Sequence, residues 1–262
     1  MEIRILGRRF SSWLPRPSTL KMSASSLKPL DAALLLRKSY VFDLPWYTKK
    51  HNLGGSGGRP VLRNAIEHFL ARAPQLPDLT PGLWFDPKWY RGQHHVIQTG
   101  SAGALSHFLR VGEPTGADPG PYFHSAHYAG RYPILAKSKA EGKVHGALEY
   151  YVLHGEALRH SPNQWFDEVW YVERDARLLE AVAAGEIASG FRHFLAAGRD
   201  EMRDPGPTFS ERRYRGANHD VAIAIADGTM RSGFEHWLLF GRAEGRPFGH
   251  AVVEGKQLVG AW

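Results

Sequence analysis

The chain has 262 residues, 43% hydrophobic and 23% charged, and no cysteine. That composition is ordinary for a globular protein; it excludes disulfides, thiolate metal sites and a cysteine nucleophile, and no run approaches the roughly 20 apolar residues of a membrane span. The formal net charge is +7, but residues 1–30 carry six basic residues (Arg4, Arg8, Arg9, Arg16, Lys21, Lys28) against Glu2, so residues 31–262 carry only +2. A nucleic-acid surface is basic on a folded face. Nucleic acid is therefore not expected as a partner of the body, and only the N-terminal arm could associate with it.

The elements follow in chain order. Residues 1–29 form an Arg- and Ser-rich arm. Its composition is that of an organellar transit peptide, or of a flexible arm that docks on a neighbouring chain or on the body, and it lacks the apolar stretch of a secretory signal. Residues 30–41 are predicted as a lead-in helix that caps the first unit of an array. Residues 42–249 read as five repeats, 42–84, 85–122, 123–165, 166–208 and 209–249, and residues 250–262 as a tail that caps the other end. No stretch shows the β-branched alternation of a buried strand. The predicted fold class is mainly α: a tandem array of five two-helix repeats, with a period of about 43 residues, behind a basic arm.

A Phe followed five positions later by a Tyr defines the repeat: Phe42/Tyr47, Phe85/Tyr90, Phe123/Tyr128, Phe166/Tyr171 and Phe209/Tyr214. The Phe-to-Phe spacings are 43, 38, 43 and 43. A second landmark keeps phase: Ala or Gly, two residues, His or Tyr, an aromatic, then an aliphatic. It runs Ala65 to Leu70, Ala104 to Leu109, Ala147 to Val152, Gly190 to Leu195 and Gly233 to Leu238.

Each landmark has a mechanical reading. Asp43, Asp86, Asp167 and Ser210 are predicted helix N-caps, whose oxygens accept from orphaned backbone N–H groups. Pro87 then takes the first helical position. The Phe before the cap and the Tyr at the fourth helical position form a hydrophobic staple. The second landmark is the core of a longer helix. Gly112, Gly155, Gly198 and Gly241, each five residues past its His or Tyr, are predicted as left-handed exit residues. Pro81, Pro119, Pro162 and Pro205 announce the next unit. The Gly54–Gly58 loop lacks the glycine spacing and flanking strand of a nucleotide site.

At Phe166-Asp167-x-x-Trp170-Tyr171, Gly190-Phe191-Arg192-His193-Phe194-Leu195-x-x-Gly198 and Ala243-Glu244-Gly245-Arg246-Pro247, the chain resembles a bacterial tandem helical repeat. Its usual form is Phe-Asp-x-x-Trp/Tyr-Tyr, then Pro-Asp-Val, then His-Tyr-Leu-x-x-Gly and a Glu-Gly-Arg-x-Pro turn. Tyr132-Pro133-Ile134 and Asn218-His219-Asp220-Val221 keep parts of the middle element. Such repeats accompany glycosyltransferase and sulfotransferase domains and other proteins of cell-surface polysaccharide systems. The resemblance covers about residues 42–249 and implies an accessory role. No transferase-sized segment and no Asp-x-Asp motif accompanies the repeats, so an enzyme is not expected.

The candidates for chemistry divide between residues that recur and residues that vary. His68, His107, His193 and His236, with Tyr150 in the third copy, are predicted as packed aromatics with a hydrogen-bonding tip. His124 and His127, or His94 and His95, would need a third ligand for a zinc site; none is spaced to supply it, so no metal and no cofactor is expected. Trp46, Trp89 and Trp170 precede the staple Tyr, with His127 and Arg213 at that position in the other copies. Two readings stay open: the Trp residues seal junctions between units, or they form a ligand row with Arg213, stacking on sugar rings and favouring acidic polymers. Asp200, Glu201 and Asp204 cluster with Arg199 and Arg203 as a charged turn, and no catalytic constellation emerges.

The expectation is a non-catalytic module that binds a surface polysaccharide or other glycan in a bacterial cell-envelope context. A protein–protein scaffold within a larger assembly is the first alternative. An accessory subunit of a separately encoded glycosyltransferase is the second.

Overall fold

A computed structural model describes residues 31–54, 59–94 and 100–247. The predicted arm, the tail and most of the Gly54–Gly58 loop lie outside these residues. The described chain is mainly helical and contains no strand, only isolated bridges at the Gly120/Phe123 and Gly206/Phe209 turns.

Helix α1 (Ala32–Arg37) starts at Asp31, whose side chain accepts from Leu34 N–H at 2.6 Å, and packs against the helix Arg59–Arg72. A single 3₁₀ turn, Ser39–Val41, leads to the first staple. Then come α2 (Leu44–Lys50) and α3 (Arg59–Arg72), α4 (Pro87–Gln93) and α5 (Gly100–His107). A π turn, Phe108–Gly112, carries α5 on into α6 (Glu113–Thr115). The third copy holds α7 (Ser125–Arg131), α8 (Ile134–Ala140) and α9 (Ala147–Tyr150). The fourth holds α10 (Glu168–Glu173), α11 (Ala176–Ala183) and α12 (Gly190–His193). The fifth holds α13 (Glu211–Ala217), α14 (His219–Ala226) and α15 (Gly233–His236). Helices α9, α12 and α15 each run on into a π turn: Tyr151–Gly155, Phe194–Gly198 and Trp237–Gly241.

The expected two-helix unit is therefore incomplete, because α8, α11 and α14 fill what was predicted as a short loop. Each buries an aliphatic at the equivalent position, Leu135, Leu178 and Val221, spaced 43 residues apart. Each ends at a left-handed glycine: Gly142, Gly185 and Gly228. Asp175 caps α11 by accepting from Arg177 and Leu178 N–H at 2.9 and 3.3 Å.

The staples form as the spacing predicts. Ring centroids lie 4.9 Å apart for Phe42/Tyr47, 5.3 Å for Phe85/Tyr90, 5.5 Å for Phe123/Tyr128, 5.1 Å for Phe166/Tyr171 and 5.2 Å for Phe209/Tyr214. Asp43, Asp86 and Asp167 accept from Trp46, Trp89 and Trp170 N–H at 3.2, 2.9 and 3.0 Å, and Ser210 from Arg213 N–H at 3.4 Å.

Each staple Tyr hydroxyl then pairs with a histidine Nδ1: Tyr47–His68 at 2.9 Å, Tyr90–His107 at 2.8 Å, Tyr171–His193 at 3.0 Å and Tyr214–His236 at 3.0 Å. In the third copy, where Tyr150 replaces the helix histidine, His160 reaches back from the following turn and pairs with Tyr128 at 2.8 Å. Tyr132 holds the His160 ring flat against its own, centroids 3.7 Å apart. The hydrogen bond is kept although its donor–acceptor partner has moved in sequence.

The recurring glycines correct a second expectation. Gly112, Gly155, Gly198 and Gly241 are not left-handed; each closes a π turn. The reason is a close approach. A Cβ on Gly198 would sit 2.0 Å from the Tyr171 hydroxyl, and one on Gly241 2.2 Å from that of Tyr214. Widening the helix by one residue opens the slot into which the hydroxyl reaches. The first copy is an internal control. It has Ala73 at this position and closes with an ordinary α bond, Ala73 N–H to Phe69 C=O at 2.8 Å. The left-handed residues come four positions after the glycines, at Gly116, Arg159, Met202 and Gly245.

Two buried carboxylates join the first and last helices within a copy. Glu168 accepts from Gly190 and Phe191 N–H at 2.5 and 2.9 Å, and Glu211 from Gly233 and Phe234 N–H at the same distances. These are N-terminal N–H groups with no intrahelical partner. Burial pushes the Glu168 carboxyl up from 4.5 to about 7, more than the two N–H donors pull it down. The folded state therefore holds this proton more tightly than the unfolded chain. Its contribution to stability is full below pH 4.5 and is lost as pH rises through about 7. Glu168→Gln does not titrate. Between acid and mildly alkaline urea melts, the variant should gain on wild type by on the order of 3 kcal/mol. An unchanged gap would contradict the burial assigned to Glu168.

Contacts also skip units. Lys38 and Glu149 form a buried ion pair at 3.3 Å, and Arg192 of the fourth copy pairs with Asp43 of the first. Trp84, at the end of the first copy, packs on Tyr151 and Phe191 of the third and fourth, at 5.8 and 6.0 Å. Tyr122 packs on Phe194 and Phe234 of the fourth and fifth, both at 6.1 Å. Trp165 packs on Trp237 of the fifth at 5.3 Å. The array turns back on itself, so its first and fourth copies meet.

Candidate functional site

The meeting of distant copies makes a groove. It has a volume of about 230 Å³, with Trp46, Trp84 and Tyr122 among its aromatic lining and Lys50, Arg199 and Arg231 among its basic lining. These residues come from α2, from the turns before the second and third staples, from the exit of α12 and from the entry to α15.

Local rules place each one. Trp46 follows the Asp43 cap on the first turn of α2, where its neighbour Tyr47 points inward; it is half-buried, resting on the core. Lys50 lies one helical turn on, so its ammonium reaches the Trp46 ring at 4.5 Å. Trp84 and Tyr122 each stand immediately before a staple Phe. An arginine covers each ring: Arg192 lies 4.7 Å from Trp84, and Arg199 5.2 Å from Tyr122. Arg242 repeats the arrangement over Trp165 at 4.0 Å.

The residue after the π-turn glycine shows how departures from the repeat build this face. It is Glu113 and Glu156 in the second and third copies, and Arg199 and Arg242 in the fourth and fifth. Glu156 is buried and accepts from Arg192 at 3.0 and 2.8 Å and from the Ser189 hydroxyl at 2.8 Å. Asp43 takes the other side of the same guanidinium. Glu113, also buried, accepts from the Tyr40 hydroxyl and from Glu149 N–H, the latter at 2.8 Å. Burial raises the carboxyls of Asp43 and Glu113 above the usual carboxylate range, and Arg192 pulls Asp43 part of the way back.

Of the four residues predicted to form a ligand row, Trp46 lines the groove, and Trp89, Trp170 and Arg213 do not. Trp89 and Trp170 are half-buried against the core, and Arg174 covers Trp170 at 4.8 Å. Arg213 is exposed on α13. His124 and His127 stack 6.3 Å apart, and His124 lies flat against Trp165 at 6.2 Å. Among the described residues no group of three or more His, Asp or Glu is placed to hold a metal ion, and no helix is long and apolar enough to cross a membrane.

The Tyr–His pairs are set for structure. Burial lowers His68, His107, His160, His193 and His236 below the usual imidazole range and raises Tyr47 to about 12, with the other staple tyrosines higher still. Both partners are held neutral, which suits a buried hydrogen bond.

Sequence reasoning missed Trp84, Tyr122, Lys50 and Arg231, and read Arg199 as part of a solvated turn. A signal was present: the position before each staple Phe holds Val41, Trp84, Tyr122, Trp165 and Thr208, three large aromatics in a place the staple does not use. Compared with known proteins, the chain matches no protein family, no curated sequence and no solved structure.

Proposed function

We propose that this chain is a non-catalytic helical module that binds a glycan in the groove between its first, second, fourth and fifth copies. The observation that supports this most is the lining: flat aromatic faces beside side chains rich in hydrogen-bond donors, joined across copies by residues that depart from the repeat. Sugar rings present apolar faces that stack on aromatic side chains and a rim of hydroxyls that accept from cations and amides. The resemblance to repeats of cell-surface polysaccharide systems points the same way, and bacterial envelope polysaccharide is the context we assign. A scaffold that joins two proteins is the competing reading.

One paired experiment separates them. The purified chain is applied to a glycan array, and its mass in solution is measured with and without the retained glycan. The expected result is retention of at least one glycan class with the protein mass unchanged apart from the ligand. Retention of none, with the chain forming a defined assembly through the Trp46 face, would favour the scaffold.

A further inference from the structure

Resting on the glycan reading, we infer that the groove selects an acidic ligand, one bearing a carboxylate, sulfate or phosphate group, and that Lys50, Arg199 and Arg231 receive it. The argument is one of unequal occupation. The acids that line the groove already have structural duties. Asp86 accepts from Trp89 N–H at 2.9 Å as a helix cap, Asp78 pairs with Arg91 at 2.8 Å, and Glu235 accepts from Arg231 N–H at 2.6 Å. The cations are less committed. Lys50 rests on the Trp46 ring, and Arg199 on the Tyr122 ring; neither has a carboxylate partner among the described residues. Arg231 is paired with Asp200 at 2.6 Å, where both side chains remain about half exposed. The Arg199 Nε–H and the Trp84 Nε1–H are buried and meet no acceptor among the described residues.

Gathering like charge at one place is costly unless something of opposite charge shares it. Here Lys50, Arg199 and Arg231 come from copies one, four and five, join Lys88 of copy two in the lining, and are brought together only by the fold. Burial draws Lys50 below the usual lysine range, and the neighbouring Arg231 and Arg199 draw it further. A bound anion would reverse that pressure. The aromatic rings lie under the Lys50 ammonium and the Arg199 guanidinium and keep these charged heads at the groove, and a guanidinium offers a fork of donors matched to a carboxylate or sulfate.

The test uses polygalacturonate, hyaluronate and chondroitin sulfate as probes, each beside its neutral counterpart, made by carboxyl reduction and, for chondroitin sulfate, by carboxyl reduction together with desulfation. They are titrated calorimetrically into the full chain and into Lys50→Gln and Arg231→Gln, with a thermal melt of each variant. The expected result is at least one acidic form bound ten-fold or more tightly than its neutral counterpart, with affinity falling as salt is raised. Each variant should lose at least three-fold of that preference while melting close to wild type. Equal binding of acidic and neutral forms would overturn this inference and leave the glycan reading standing. Binding of neither form would overturn both. A preference retained in full by two folded variants would place the anion elsewhere and overturn the assignment of these residues.

Discussion

Arg192→Met is expected to destabilise the fold by about 3–5 kcal/mol, because it strands two buried carboxylates around one missing cation. Asp43 and Glu156 are both buried, and both accept from the Arg192 guanidinium. The guanidinium also covers the Trp84 ring at 4.7 Å, so the deletion removes packing as well as charge. With the cation gone, the Asp43 carboxyl, which burial raises and Arg192 pulls back, holds its proton to still higher pH in the folded state. The loss should therefore deepen as pH rises. Neutralising the acids in the same background, Asp43→Asn with Glu156→Gln, should recover much of it, since Asn still caps α2. Urea melts of the single and triple variants measure this. A single-variant loss below about 1 kcal/mol would mean that the pair is solvated and does not lock the first copy to the fourth.

Tyr171 carries the second large effect. Tyr171→Ala removes a buried ring that touches Phe166 and Phe194 and should cost on the order of 3–5 kcal/mol. Tyr171→Phe keeps the ring and loses only the His193 hydrogen bond, a net cost of about 1 kcal/mol. Gly198→Ala drives a Cβ against the Tyr171 hydroxyl, an overpacking cost of about 1–3 kcal/mol. The combination is diagnostic. In Gly198→Ala with Tyr171→Phe the colliding oxygen is absent, so the double variant should be more stable than the sum of its parts. Strict additivity in a double-mutant cycle would show that the glycine is not there for the hydroxyl.

Much of the architecture was legible because it recurs. The Phe/Tyr staples, the Asp and Ser caps and the histidine row are local devices whose spacing states their geometry. The middle helix was obscured because it is only seven or eight residues long and buries few side chains, with Leu135, Leu178 and Val221 recurring at one position. The glycine role was misread because a left-handed exit and a slot for a hydroxyl both demand a missing side chain. Only the tyrosine from another helix distinguishes them. The groove was the least legible. Trp46 was marked by its variation across copies, but Trp84, Tyr122, Lys50, Arg199 and Arg231 meet through contacts between copies far apart in sequence. A repeat pattern describes one unit and is silent on where unit one meets unit four. The departures did carry a trace, since the residue after the glycine changes from Glu in copies two and three to Arg in copies four and five.

Residues that recur build the copies, and the proposed glycan site lies where the copies differ and meet. The direct test is a calorimetric titration of the best acidic oligosaccharide against Trp46→Ala and Trp170→Ala, two equivalent positions in the repeat of which only the first lines the groove. The account predicts that Trp46→Ala loses binding by ten-fold or more with little change in melting temperature, while Trp170→Ala binds as wild type does. Equal loss from both, or loss from Trp170→Ala alone, would contradict it and return the binding face to the row of repeated tryptophans.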